Sequence, residues 1–310
     1  MTLIVGVHGI AKHHSGRHQL LADWRPALLD GVERATGRRV DHVDLDLAFY
    51  GDLYLPPRTS GGCKGNEEAD ALDGLSDEER ADVEEMLSEM VTPEDVAAAT
   101  AYLAGEKGYT RMPTPLQVLL RALGIRFRSA SAITAVGALR QVRGYLRDVA
   151  LKAEIDQRVT ESVTSGCRVL VGHSLGSVVA AEYLRRTPDH GVALLLTLGS
   201  PLGLRFVRSR FPASSIDVPT WVNIRDRRDP VASAGSLRPW WPQIAEADDI
   251  LVENGADTHA VERYLSRRAT GEVLIRAVPE LVGREWRNVR QRLGEGDDSL
   301  QCHQTPSQPG

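Results

Sequence analysis

Cys167-Arg168-Val169-Leu170-Val171-Gly172-His173-Ser174-Leu175-Gly176-Ser177 is the stretch on which the fold turns. Its first half is a short apolar, β-branched run of the kind that forms a buried strand. Gly172 and Gly176 flank Ser174, and an apolar helical pattern from Ser177 to Leu184 follows at once and stops near Pro188. A five-residue pattern with two glycines occurs by chance, so its weight comes from the strand directly before it and the helix directly after it. A serine between them sits on a strained turn, and the residues two before and two after must be small to clear neighbouring backbone. The turn aims Ser174 out of the sheet edge and places the Leu175 N–H at the positive end of the following helix. A serine hydroxyl is a weak nucleophile until a base takes its proton and the oxyanion is stabilised, so this placement meets part of that need.

Upstream, Leu3 to Val7 reads as another buried strand, broken by His8-Gly9-Ile10 and a histidine-rich loop to His18. Leu21, Trp24, Leu28, Leu29 and Val32 then fall at helical spacing, with Gly37 as the stop. Val43, Leu45 and Leu47 alternate with polar or small residues in a second strand between Val40 and Tyr50. The chain therefore opens β-α-β, which favours a parallel sheet. Downstream of the Ser174 turn, Val192 to Leu198 and Pro219 to Ile224 read as strands. Helices from about Ala260 to Arg268 and from Val273 to Leu293 finish the order.

Residues 53–132 differ in character. Pro56-Pro57 and Gly61-Gly62 mark a loop. Ser76 and Glu79 form a capping box ahead of Val83, Met86, Leu87 and Met90 on one helix face. Thr92-Pro93 starts a second helix ending near Gly105, and Thr114-Pro115 starts a third through Leu116, Leu119, Leu120 and Leu123. A long helical pattern from Ile133 to Val163 follows, with Gly137 and Gly144 as the places to break or bend it. Thirteen acids and one base lie between Asn66 and Asp95, while the next stretch to Arg158 is mostly basic; the acidic run reads as a solvated helix face. The chain thus divides into a discontinuous core of residues 1–52 and 133–293, a helical insertion of residues 53–132, and a polar tail of residues 294–310 expected to be disordered.

The bulk numbers exclude several classes. With 310 residues and a formal net charge of −5, there is no global electrostatic case for a nucleic-acid partner or an anionic membrane. Cys63, Cys167 and Cys302 are too widely spaced for a disulfide framework or metal knuckle, and Cys167 reads as a small buried hydrophobe. The N-terminus has no basic region ahead of its short apolar run, and no apolar stretch approaches the ~20 residues of a membrane span. The expectation is a cytoplasmic protein without a transmembrane segment.

The segment Gly172-His173-Ser174-Leu175-Gly176-Ser177 resembles the nucleophile elbow of the α/β-hydrolases, in their lipase and esterase-like branch. His8-Gly9 after the first strand resembles the oxyanion-loop His-Gly of lipases. Trp221 to Val231 is similar to the strand and loop that bear the acid, and Asp257 to Leu265 to the loop and helix that bear the histidine. The resemblance covers about two thirds of the chain and implies an α/β fold: a mostly parallel central sheet, flanking helices, and residues 53–132 as an inserted helical cap. It also implies the chain order serine, acid, histidine. His259 is then the base: the other histidines precede the serine, follow it too closely, or lie on a strand or in the tail. Asp229, before Pro230-Val231, best matches the acid, with Asp226 as the alternative and a shaper of the loop.

The resemblance assigns the oxyanion hole to the N–H groups of Leu175 and Ile10, with Ala11 as the alternative to Ile10, and places His8, Gly9 and His173 beside the substrate. The expected reaction is hydrolysis of a carboxylic ester through an acyl-serine intermediate. Acyl transfer, thioester or amide cleavage by the same triad is the enzymatic alternative, and a catalytically silent binding protein the non-enzymatic one. The partner is an acyl-ester or other small-molecule substrate. No cofactor is called for, and His13, His14 and His18 lack the carboxylate or cysteine ligands of a metal set.

Overall fold

The computed structural model describes residues 2–9, 15–55, 75–105, 114–127, 132–211 and 216–282. Six parallel strands form its centre: β1 (Ile4–Val7), β2 (Leu45–Ala48), β3 (Val169–His173), β4 (Leu194–Leu198), β5 (Thr220–Asp226) and β6 (Asp249–Val252). Their order is β2-β1-β3-β4-β5-β6, with Gly6 beside Val171 and Val171 beside Leu196 in register. The chain runs outward from β1 to β2 in one direction and from β3 to β6 in the other. Right-handed crossovers therefore put the helices after β1 and after β3 on opposite faces, and leave a crevice at the carboxyl ends of β1 and β3.

Two apolar layers sandwich the sheet. On one face α1 (Arg17–Thr36), α9 (Val261–Leu265) and α10 (Arg268–Ala277) bury Trp24, Leu28, Val32 and Leu274 against Ile4, Val169, Leu194, Leu196 and Ile224. On the other, α6 (Val149–Ser162), α7 (Leu175–Arg186) and the short α8 (Arg205–Arg208) bury Ile155, Val159, Val178, Val179 and Phe206 with Leu170, Leu195 and Trp221. Each such fully buried Leu, Val or Ile side chain contributes about 1.5–3 kcal/mol of transfer free energy. Both faces of β3 and β4 are covered, which is why these strands read as unbroken apolar runs and not as alternating ones. Cys167 lies in the second layer, where burial pushes its thiol up to about 11.

Between β2 and β3 run α2 (Asp77–Met90), α3 (Pro93–Gly105), α4 (Pro115–Phe127) and α5 (Ala132–Arg147). The Ser76–Glu79 capping box opens α2, with Glu79 N–H to Ser76 Oγ at 3.2 Å and Ser76 N–H to Glu79 Oε2 at 3.0 Å. Val83, Met86, Leu87 and Met90 are buried on its inner face, in one core with Leu116, Leu123 and the sheet residues. The acidic run is less solvated than its composition suggests. Asp82 is buried and takes Arg143 Nε at 2.7 Å and Arg147 Nη2 at 2.6 Å, while Glu85 pairs with Arg205 and Asp95 with Arg126. Desolvation raises the Asp82 carboxyl, but the hydrogen bonds from the two arginines outweigh it and hold the group below its ordinary value. Among the described residues, Asp82 and Asp95 of the acidic run thus pair with arginines of the basic stretch after it, while Asp77 and Glu94 stay exposed.

Three expectations need correction. The long helical pattern breaks at Asp148 and not at Gly137 or Gly144: the Asp148 carboxylate caps α6, accepting from Ala150 N–H at 2.9 Å and Leu151 N–H at 3.0 Å. The helix expected from Val273 runs instead over Arg268–Ala277, because Pro279 cannot continue it, and a short 3-10 turn, Pro279–Val282, follows; the rest of the expected helix, residues 283–293, and the tail of residues 294–310 lie outside the described residues. β6 went unpredicted, being only four residues long, acid-flanked and half-exposed at the sheet edge. Among the described residues no helix is long and apolar enough to cross a membrane.

Candidate active site

Ser174 lies between β3 and α7 with φ 54° and ψ −128°, a left-handed conformation that a side chain occupies only under strain. The tight approach of neighbouring chain explains the two glycines. A Cβ on Gly172 would lie 2.5 Å from Ser177 Cα, and one on Gly176 would lie 2.0 Å from the Val7 carbonyl oxygen and 2.6 Å from that of His8. Backbone cannot yield there as a flexible side chain would. Gly176→Ala is therefore expected to destabilise the protein at or beyond the upper end of the about 1–3 kcal/mol that overpacking usually costs. Urea unfolding measures this, and an unchanged midpoint would show that β1 and α7 separate freely.

Serine at the N-cap position just before a helix normally caps it, but Ser174 makes no side-chain cap bond. Its Oγ is fully buried and has no hydrogen-bond partner among the described residues. The backbone around it is firmly held: Ser174 N–H donates to Leu198 O at 3.0 Å, and Ser177 Oγ donates to Ser174 O at 2.6 Å. Leu175 is the first residue of α7, so its N–H has no partner within the helix and lies at the positive end of the helix dipole.

The carboxyl ends of the other strands converge on this point. After β1, a Cβ on Gly9 would come within 2.8 Å of Ser174 Cβ, so only glycine brings this turn so close. His8 is buried and braces the turn: its Nε2 accepts Tyr50 N–H at 3.1 Å, so Nδ1 carries the proton and donates to Gly9 O at 2.7 Å. Its ring also stacks on Tyr50, with 4.1 Å between centroids. Ile10, Ala11, His13 and His14 lie outside the described residues, and His18 sits on α1.

After β5, Asp226 and Asp229 are both buried but do different things. Asp226 ends the strand, and its carboxylate accepts main-chain N–H groups from Arg228, at 2.8 Å, and Asn254. Asp229 Oδ1 accepts Val231 N–H at 2.9 Å, while its Oδ2 accepts His259 Nδ1–H at 2.8 Å. Asp226 thus ties the β5 loop to the chain after β6, and Asp229 is the carboxylate that faces the histidine.

His259 follows β6, with its side chain 21% exposed. Its Nε2, opposite the nitrogen bound to Asp229, has no hydrogen-bond partner among the described residues, so the bond from Ser174 Oγ is not formed here. His173, immediately before Ser174, spans the gap: its Nε2 donates to the His259 carbonyl at 2.8 Å, and the two rings lie 4.7 Å apart. It supports the histidine's backbone, a role that the expected placement beside substrate did not include.

Two further residues complete the arrangement. Gly199, after β4, has φ 53°, and a Cβ there would lie 2.6 Å from Asp229 Oδ2 and 3.2 Å from His259 Nδ1. Tyr264 on α9 donates its O–H to Asp229 Oδ2 at 2.7 Å. Gly199-Ser200-Pro201 is a turn signal in the sequence, but nothing local says which side chains it meets. Compared with known protein families, curated proteins and solved structures, the chain matches none of them.

Proposed function

We propose that the protein is a serine hydrolase of the α/β-hydrolase type that cleaves carboxylic esters through an acyl-serine intermediate. The observation that carries this reading is Ser174: a buried hydroxyl, without a hydrogen bond among the described residues, on a strained turn at a helix N-terminus. An unused N-cap serine gains nothing from that strain or that desolvation, whereas a nucleophile needs both the exposure of Oγ to a base and nearby N–H groups. The Asp229–His259 pair at the same strand ends supplies the base.

In this mechanism His259 Nε2 takes the Ser174 proton as Oγ attacks the ester carbonyl. The hydrogen bond to Asp229 keeps the single N–H proton of the neutral imidazole on Nδ1, leaving Nε2 free to accept, and stabilises the imidazolium that forms. Negative charge on the carbonyl oxygen is met by the Leu175 N–H and by an N–H of the turn after Gly9, the place proposed for Ile10. Protonated His259 then gives its proton to the leaving alcohol, and water repeats the sequence to release the acid. The α2–α4 segment, within residues 53–132, is the part of the chain proposed to cover the site and shape the acyl pocket.

A fluorophosphonate probe tests the reading. The wild-type protein is expected to be labelled on Ser174, and Ser174→Ala to lose the label. Equal labelling of both, or a folded wild type that never reacts, refutes the assignment. p-Nitrophenyl esters of increasing chain length then measure the acyl preference.

A further inference from the structure

We infer that Tyr264 is a positioning residue for the Asp229–His259 pair, sharing Asp229 Oδ2 with the imidazole and thereby setting where that oxygen lies and how strongly it holds the Nδ1 proton. The kinetic consequence rests on the hydrolase reading; the hydrogen-bond consequence does not.

The phenol is fully buried on α9, the helix that follows His259. Its hydroxyl uses both its capacities, donating to Asp229 Oδ2 at 2.7 Å and accepting Asp226 N–H at 3.0 Å. It therefore links the end of β5, the acid loop and the helix after the histidine through one oxygen atom. Asp229 is held on each side by a fixed donor, Val231 N–H on Oδ1 and Tyr264 O–H on Oδ2, and His259 Nδ1–H joins the latter at 2.8 Å. Gly199 closes the remaining side: the Cβ it lacks would lie 3.1 Å from Tyr264 Cε2 and 2.6 Å from Asp229 Oδ2. The carboxylate has little room to rotate while both donors are present.

Two donors on one carboxylate oxygen share its charge, so each is held less tightly than it would be alone. The Tyr264 O–H thus fixes the direction of the Asp229–His259 bond while moderating its strength. Burial, then the charge and hydrogen bond of Asp229, push the phenol well above its ordinary value, so it remains a donor throughout the neutral range. Phenylalanine fills the same space and removes only the hydroxyl.

The test reads the far-downfield proton NMR resonance of His259 Nδ1–H together with ester kinetics. In Tyr264→Phe the resonance is expected to move further downfield, because Oδ2 loses its competing donor. For the same variant kcat is expected to fall on the order of ten- to a hundredfold with KM held within about twofold. A folded Tyr264→Phe with an unmoved resonance, or with a raised KM alone, overturns the inference. If that variant does not fold, Tyr264→3,5-difluorotyrosine keeps the volume and both bonds while strengthening the donor. The resonance should then move upfield, and an unmoved one counts against the inference. Fluorophosphonate labelling separates the two proposals. A shifting resonance in a protein that never labels removes the hydrolase reading and leaves Tyr264 in place, whereas a labelled protein with an unmoved resonance does the reverse.

Discussion

Ser174→Ala is expected to lower kcat for an ester substrate by about four to six orders of magnitude, and His259→Ala by a similar factor. The double variant should be hardly worse than either single one, because in the proposed mechanism nucleophile and base act as one unit and removing either leaves the other without a task. What survives is the acceleration from binding and from the oxyanion donors alone. Stability moves little in Ser174→Ala, since Oγ makes no hydrogen bond among the described residues that the change would break. Steady-state kinetics on the four proteins decides the matter. Additive losses in the double variant would mean that the two residues do not belong to the same chemical step.

The second large effect separates the two aspartates. Asp229→Asn is expected to cost about four orders of magnitude in kcat with the fold intact. An amide facing His259 Nδ1 favours the tautomer protonated on Nε2, which cannot accept the Ser174 proton. Asp226→Asn should leave kcat within about tenfold but lower stability by about 1–3 kcal/mol, because its carboxylate satisfies two main-chain N–H groups, that of Asn254 buried, and an amide satisfies them less well. Thermal unfolding and ester kinetics on both variants give a crossed pattern. Activity lost in Asp226→Asn and kept in Asp229→Asn would reverse the assignment of the acid.

The two aspartates also mark how far the sequence could be read. Asp226 ends β5 and Asp229 lies three positions on, and the resemblance favours Asp229 without excluding Asp226. Only the turn after Asp226 shows that one carboxylate points at main-chain N–H groups and the other at His259. His173 is a similar case: its proximity to Ser174 was evident, but its bond to the His259 carbonyl depends on where β6 and its loop return. β6 itself escaped notice because four half-exposed residues beside acids carry too little periodic signal.

What the sequence determined by itself was what short-range physics encodes. The glycines about Ser174, the apolar run before it, the helix after it and the Ser76–Glu79 capping box each rest on sterics or hydrogen bonds within a few residues. Together with the β-α-β opening they specify a parallel α/β sheet whose strand ends carry Ser174 and the candidate partners. The tertiary structure alone decided which aspartate faces His259, the contacts of Tyr264 and Gly199 with it, and the pairing of Asp82, Glu85 and Asp95 with arginines distant in sequence. These depend on side chains brought together from separate strand ends and helices. That convergence is set by crossover handedness and sheet register, which no local pattern of residues contains.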